Sequence, residues 1–175
     1  TRSILEESNR IAETKMDRWA HAFGLDMLGV VALSQGQNED ALDLFQHSLN
    51  HSKEIGNQLA AAQTSIHMGQ AYAALQCIDD AKQLYREAYA AAETANWIPI
   101  ILNGLVSFIE IHSELPEETR LAVARSVLSH PAVLPNLRTR CERLRDEIKF
   151  PLQEPAVEDL ASTKKAETWA RELLQ

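Results

Sequence analysis

Four groups of residues have types and spacings that chemistry could use. His47 and His51 stand four apart, the interval that puts two imidazoles on one helix face, as in helical zinc hydrolases. That chemistry needs a Glu directly after the first His and a third ligand. Ser48 follows His47, and no third ligand is in view, so no metal and no cofactor is expected. Gly24 and Gly29 have the glycine spacing of a phosphate-binding loop. Val30 and Val31 then replace the required Lys and Ser or Thr, which leaves no amine for the phosphates. Arg138, Arg140, Arg143, Arg145 and Lys149 form a concentrated basic stretch. Glu142 and Glu147 stand one helical turn beyond Arg138 and Arg143, so a salt-bridged, solvated face is expected rather than a nucleic-acid surface. Cys77 and Cys141 stand alone, with no CxxC, which excludes a disulfide framework and fits a reducing compartment such as the cytoplasm. His21, His67, His112 and His130 are scattered, and nothing pairs a nucleophile with a base. The chain therefore reads as a non-enzyme.

The bulk composition points the same way. A chain of 175 residues, 45% hydrophobic with 6% aromatics and six glycines, is a helical globular protein rather than a sheet. Its formal charge of -8 would repel a phosphate backbone, so no direct nucleic-acid partner is expected. No apolar run reaches the roughly 20 residues that span a bilayer, so no membrane partner is expected either.

Self-similarity at a fixed period reveals the organisation. At an offset of 40, Leu28-Gly29 recurs as Met68-Gly69, Ala32 as Tyr72, Ala41 as Ala81, Leu44-Phe45 as Leu84-Tyr85 and Ser48 as Ala88. Backwards, Leu44-Phe45 maps on Ile4-Leu5 and Ser48 on Ser8, so the chain opens on the second helix of a pair. Small residues let two antiparallel helices approach closely, and large ones fill the space to the next pair. Helices are predicted over about 2–14, 18–35, 38–55, 58–75, 79–94, 97–114, 117–129 and 133–149. Gly36 and Gly56 suit left-handed helix ends, Asn38 with Glu39 and Asp40 supplies a cap and an acidic first turn, and Pro99 fits a first turn.

Residues 28, 29, 32, 41, 45 and 48, and again 68, 69, 72, 81, 85 and 88, resemble the signature of the tetratricopeptide repeat (TPR) family. HEAT and armadillo repeats are nearer in period, but the internal spacing favours TPR, with six extra residues lengthening the helices around Gly56-Asn57 and Thr94-Ala95-Asn96. The fold expected is all-α, a right-handed superhelical solenoid of antiparallel helix pairs. Residues 1–150 would form the repeat domain: a half repeat at 1–16, full repeats at about 17–56 and 57–96, a degenerate repeat at 97–130 and a capping helix at 133–149. Phe108, Ile109, His112, Leu121, Arg125 and Leu128 fill the signature positions of the degenerate unit, four of the six with the wrong class, which puts its close packing in doubt. Residues 151–175 would form a C-terminal helical tail or lid.

The resemblance implies a concave groove lined by the first helix of each pair. Position by position, Phe23, Asp26, Val30 and Leu33 would line it in the first full unit, Gln63, Ile66, Gln70 and Ala73 in the second, and Asn103, Val106 and Glu110 in the third. That mixture suits an extended peptide or a small inducer. Asp26 and Ile66 stand where TPR clamps for chaperone tails hold a terminal carboxylate, so that function is not expected. Asp17-Arg18-Trp19 leading into Leu28 to Gly36 is similar to C-terminal arrays of bacterial signal-transduction ATPases and large transcriptional activators. Thr1 in place of an initiator Met fits a segment of such a parent. The sequence leaves two functions open: a sensor or interaction module, and a scaffold that self-assembles through its ends.

Overall fold

The computed structural model describes residues 2–148. The expected tail at 151–175, and Lys149 of the basic stretch, lie outside the described residues. Eight helices follow one another: α1 (Arg2–Thr14), α2 (Arg18–Ser34), α3 (Asn38–Glu54), α4 (Gln58–Ala74), α5 (Ile78–Thr94), α6 (Ile98–Ile111), α7 (Glu117–Leu128) and α8 (Pro135–Ile148). Among the described residues there is no strand, and the fold is all-α, built of successive helix pairs.

The period has a simple origin. From α2 to α5 each helix has 17 residues and is followed by a three-residue link, so two helices and two links repeat every forty positions. The second residue of every link, at Met16, Gly36, Gly56, Gln76 and Asn96, has a positive φ of 55 to 75°. The next N–H then turns back to the carbonyl five residues earlier, as from Gln37 to Ala32 (3.0 Å) and from Asn57 to Ser52 (2.8 Å). These bonds close a Schellman motif and satisfy carbonyls that the helix end would otherwise orphan. Gly36 and Gly56 take the conformation without strain, whereas Met16 and Gln76 adopt it at a cost of about 1 kcal/mol each. The cap expected at Asn38 is corrected: α3 begins at Asn38 itself, and its N-cap, Gln37, makes no side-chain cap bond. The side-chain caps lie at Asp17 and Asn57, forty residues apart, which accept from the N–H groups of Ala20 (3.0 Å) and Ala60 (3.1 Å).

Two compact units divide between Ala91 and Ala92, within α5. In the first, α1 packs on α2, α2 on α3 and α3 on α4, and α2 also meets α4. Ala32, Ala41 and Phe45 have no exposed surface and form a core with Leu49, Met68 and Ala71. Gly29 lies so close to the Phe45 ring that a Cβ there would sit 2.4 Å from Cε1, and Gly69 stands in the same relation to Tyr85. Gly24 meets Asn9 of α1 in a similar way, so the loop-like glycine spacing is a matter of helix approach, not phosphate binding. Buried Ser48 ties α3 to α2 by donating to the Ala22 carbonyl (2.8 Å).

In the second unit α6, α7 and α8 pack on one another. Here the signature has lapsed: Ile109 stands in the glycine position, and Arg125, in the aromatic position, is exposed. The pair persists through aliphatic packing, with Leu102, Leu105, Ile109, Val123, Val127 and Leu137 fully buried. His112 stacks on Phe108 (centroids 3.7 Å apart), its Nδ1 2.9 Å from the Phe108 carbonyl, and His130 Nδ1 accepts from the Ala132 N–H. Cys141 on α8 is fully buried, and burial pushes its thiol up to about 12. Cys77 is exposed. At pH 8, Ellman's reagent is therefore expected to titrate Cys77 promptly and Cys141 only after denaturation, because the thiolate is the nucleophile. Equal rates at both sulfurs would mean that α8 is not docked as described.

Candidate functional site

In the first compact unit α2, with Phe23, Asp26, Val30 and Leu33, is in contact with α4, with Gln63, Ile66, Gln70 and Ala73. Phe23 is 53% exposed and lies flat against Trp19, itself 59% exposed one turn earlier, with ring centroids 5.8 Å apart and planes inclined by 2°. Leu59, which is Trp19's equivalent on α4, is 48% exposed. Isolated apolar side chains on a surface are ordinary, but two aromatic rings stacked in solvent are an unspent recognition area. Val30 and Leu33 are half-buried and lean on the core, while Gln70 is half-buried on α4.

Asp26 and Gln63 are engaged with His67. Asp26 is buried, and both of its carboxylate oxygens face Nδ1 of His67 on α4, at 2.9 and 3.1 Å. Gln63 completes the chain, its amide 2.9 Å from His67 Nε2. A ring whose Nδ1–H donates to Asp26 while its Nε2 accepts from the Gln63 amide would satisfy all three side chains at once. Asp26 is thus a tie between α2 and α4. Ile66 is fully buried and offers no surface, so it is corrected from groove to core.

In the second unit the capping helix takes up the expected residues. Arg140 of α8 donates to Asn103 (2.8 Å), to Ser107 (2.8 Å) and to Glu110 (3.0 Å from Nε), a planar fork satisfied on all sides. Arg143 reaches the same Glu110 at 3.5 Å. Asn103 and Val106 are buried. Asn103 and Glu110 therefore hold α8 on α6, and Val106 lies in the core. The basic stretch is accounted for in part as expected, since Arg143 lies 3.8 Å from Glu147. Arg138 and Glu142 do not pair, and Arg140, for which no partner was foreseen, makes the strongest contacts.

Trp19 and Leu59 are the residues that sequence reasoning missed. Both precede a groove position by four on the same helical stripe, and both are large and apolar where no signature position requires it. The histidines also fall otherwise than their spacing suggested. His51 does not act with His47, which is exposed, but meets His21 of α2 edge to face, with centroids 5.0 Å apart. Among the described residues, no three His, Cys, Asp or Glu side chains are placed to hold a metal ion. Nor is any described helix long and apolar enough to cross a membrane.

Residues 22–94, which run from α2 through α5, match the family model of the tetratricopeptide repeat. The two full units are thus similar to repeats of a non-catalytic fold that generally mediates protein–protein interaction. No curated protein and no solved structure matches the chain.

The geometry separates the buried tie at Asp26 from the exposed ring of Phe23. Asp26→Ala leaves Nδ1 of the half-buried His67 without its partner and should cost roughly 1–3 kcal/mol. Phe23→Ala, at a solvent-exposed ring, should stay within about 0.5 kcal/mol. Urea denaturation followed by circular dichroism compares the two, and equal losses would refute the division.

Proposed function

We propose that the first compact unit binds a protein partner by an extended segment laid along α2 and α4, with Trp19, Phe23 and Leu59 as anchors. The observation that carries this reading is the exposed Trp19–Phe23 stack, continued on the neighbouring helix by Leu59. Aromatic anchors dominate interface energetics because they bury much area at little entropic cost. Half-buried Val30 and Leu33 would receive further apolar side chains of the segment. Gln63, already engaged with His67, would contribute only its outer edge. The similarity of residues 22–94 to TPR units supports interaction as the role, and no catalytic step is assigned. The likeness of residues 17–36 to bacterial sensor arrays supports a cytoplasmic sensor of a partner or inducer within a larger signalling ATPase or transcriptional regulator.

Self-assembly through an exposed end is the second reading, favoured by one observation: Ile4 and Ile11 on α1 are 73% and 42% exposed. Peptides selected from a displayed library against this protein decide between the two. Binding that perturbs resonances of α2 and α4, and weakens at least roughly tenfold in Trp19→Ala/Phe23→Ala, is the expected result. Peptides that bind the variant equally well, alongside a light-scattering mass that rises with concentration and falls back in Ile4→Glu/Ile11→Glu, would replace the groove with assembly.

A further inference from the structure

Trp19, Phe23 and Leu59, the exposed anchors of α2 and α4, carry no charge, and between them they offer a single hydrogen-bonding group. That group is the indole N–H of Trp19, which donates and cannot accept. The carboxylate on the same stripe of α2, that of Asp26, is buried against His67, and Gln63 of α4 is held to the same ring. We infer that the segment laid along α2 and α4 is rich in proline and binds as a polyproline II helix. This rests on the reading of these anchors as a docking site for an extended segment, and adds the chemistry of the occupant.

Hydrogen bonding decides the class. The backbone groups of a helix are spent within it, so a helix face gives a docking chain no ladder of the kind that a sheet edge gives. An ordinary extended segment would press its N–H groups against rings and aliphatic carbons that cannot accept. Each donor buried without a partner weakens binding by about tenfold or more. Proline has no N–H, so a proline-rich segment brings backbone acceptors alone. One of its carbonyls can take the Trp19 indole N–H while the pyrrolidine rings lie on the aromatic faces.

The spacing agrees with that class. The Trp19 and Phe23 centroids are 5.8 Å apart with planes inclined by 2°. A polyproline II chain advances about 3.1 Å per residue, so residues two apart stand about 6.2 Å from each other, close to the step between the rings. Such a chain holds its conformation before it binds, and little entropy is lost in ordering it. The rings are also not a requirement of the fold. Forty residues on, Leu59 and Gln63 hold the positions of Trp19 and Phe23, so the next first helix is built without them.

Proton–nitrogen correlation spectra of the full chain test the occupant, with acetyl-hexaproline amide as probe. One comparator carries alanine at alternate positions, which restores N–H groups at the same length; a second, a leucine–glutamine peptide of helical pattern, represents a docked amphipathic helix. Saturable shifts of the Trp19 indole N–H and of the α2 and α4 amides are expected with hexaproline. Affinity should fall roughly tenfold for the alanine comparator, and roughly tenfold for hexaproline in Phe23→Ala. Trp19→Phe, which keeps a ring and loses the donor, should weaken hexaproline about fivefold. Both side chains are exposed, so neither change removes core packing. Equal or tighter binding of either comparator, no saturable shift with hexaproline, or unchanged affinity in either variant would overturn the inference. The docking reading would survive that loss, and falls only if no selected peptide weakens in Trp19→Ala/Phe23→Ala.

Discussion

The contact of a helix glycine with an aromatic ring on the next helix, Gly29 against Phe45 and Gly69 against Tyr85, is the constraint on which the first compact unit depends. It sets how near α2 comes to α3 and α4 to α5, and so the depth at which Ala32, Ala41 and Ala81 can be fully buried. A chain meeting that constraint twice at one spacing must also return its helices at one spacing. Helices of 17 residues with three-residue links do so, each link turning through one left-handed residue. Where the constraint lapses, in α6 and α7, aliphatic packing replaces it, and the pair is anchored by α8 through Arg140.

A second rule governs the first helices of successive pairs. Their mutual contact includes a polar tie: Asp26 with His67 between α2 and α4, and Asn103, Ser107 and Glu110 with Arg140 between α6 and α8. Buried polar groups require partners of fixed geometry, so such ties fix register in a way that aliphatic contacts do not. They also sort the surface. Side chains consumed in ties are unavailable for recognition, and Trp19, Phe23 and Leu59 stand exposed on α2 and α4 beside Arg18, Ser34 and Gln58.

Much of the fold was legible in the sequence because packing repeats itself. The helices fall within a few residues of the predicted spans, since apolar periodicity and the glycines at 36 and 56 mark their ends. Met16, Gln76 and Asn96 were not recognised as left-handed, because only glycine announces that conformation; the twenty-residue spacing of the links was the signal to follow. The candidate site was less legible. A groove position inherited from a resemblance carries no information about the neighbour that occupies it, and a histidine 41 residues from Asp26, or an arginine 37 from Asn103, leaves no local trace. Trp19 and Leu59 were passed over as site residues because neither belongs to the repeat signature.

The most direct measurement of the central constraint is the unfolding free energy of Gly69→Ala in two backgrounds. In an open helix interior this change stabilises by up to about 1 kcal/mol. Here the added methyl meets the Tyr85 ring, and overpacking of that kind costs about 1–3 kcal/mol, so the sign should reverse. In a Tyr85→Leu background, with the ring gone, the alanine should stabilise. If Gly69→Ala stabilised the protein with Tyr85 in place, the close approach of α4 and α5 would be contradicted, and with it the spacing of the repeats.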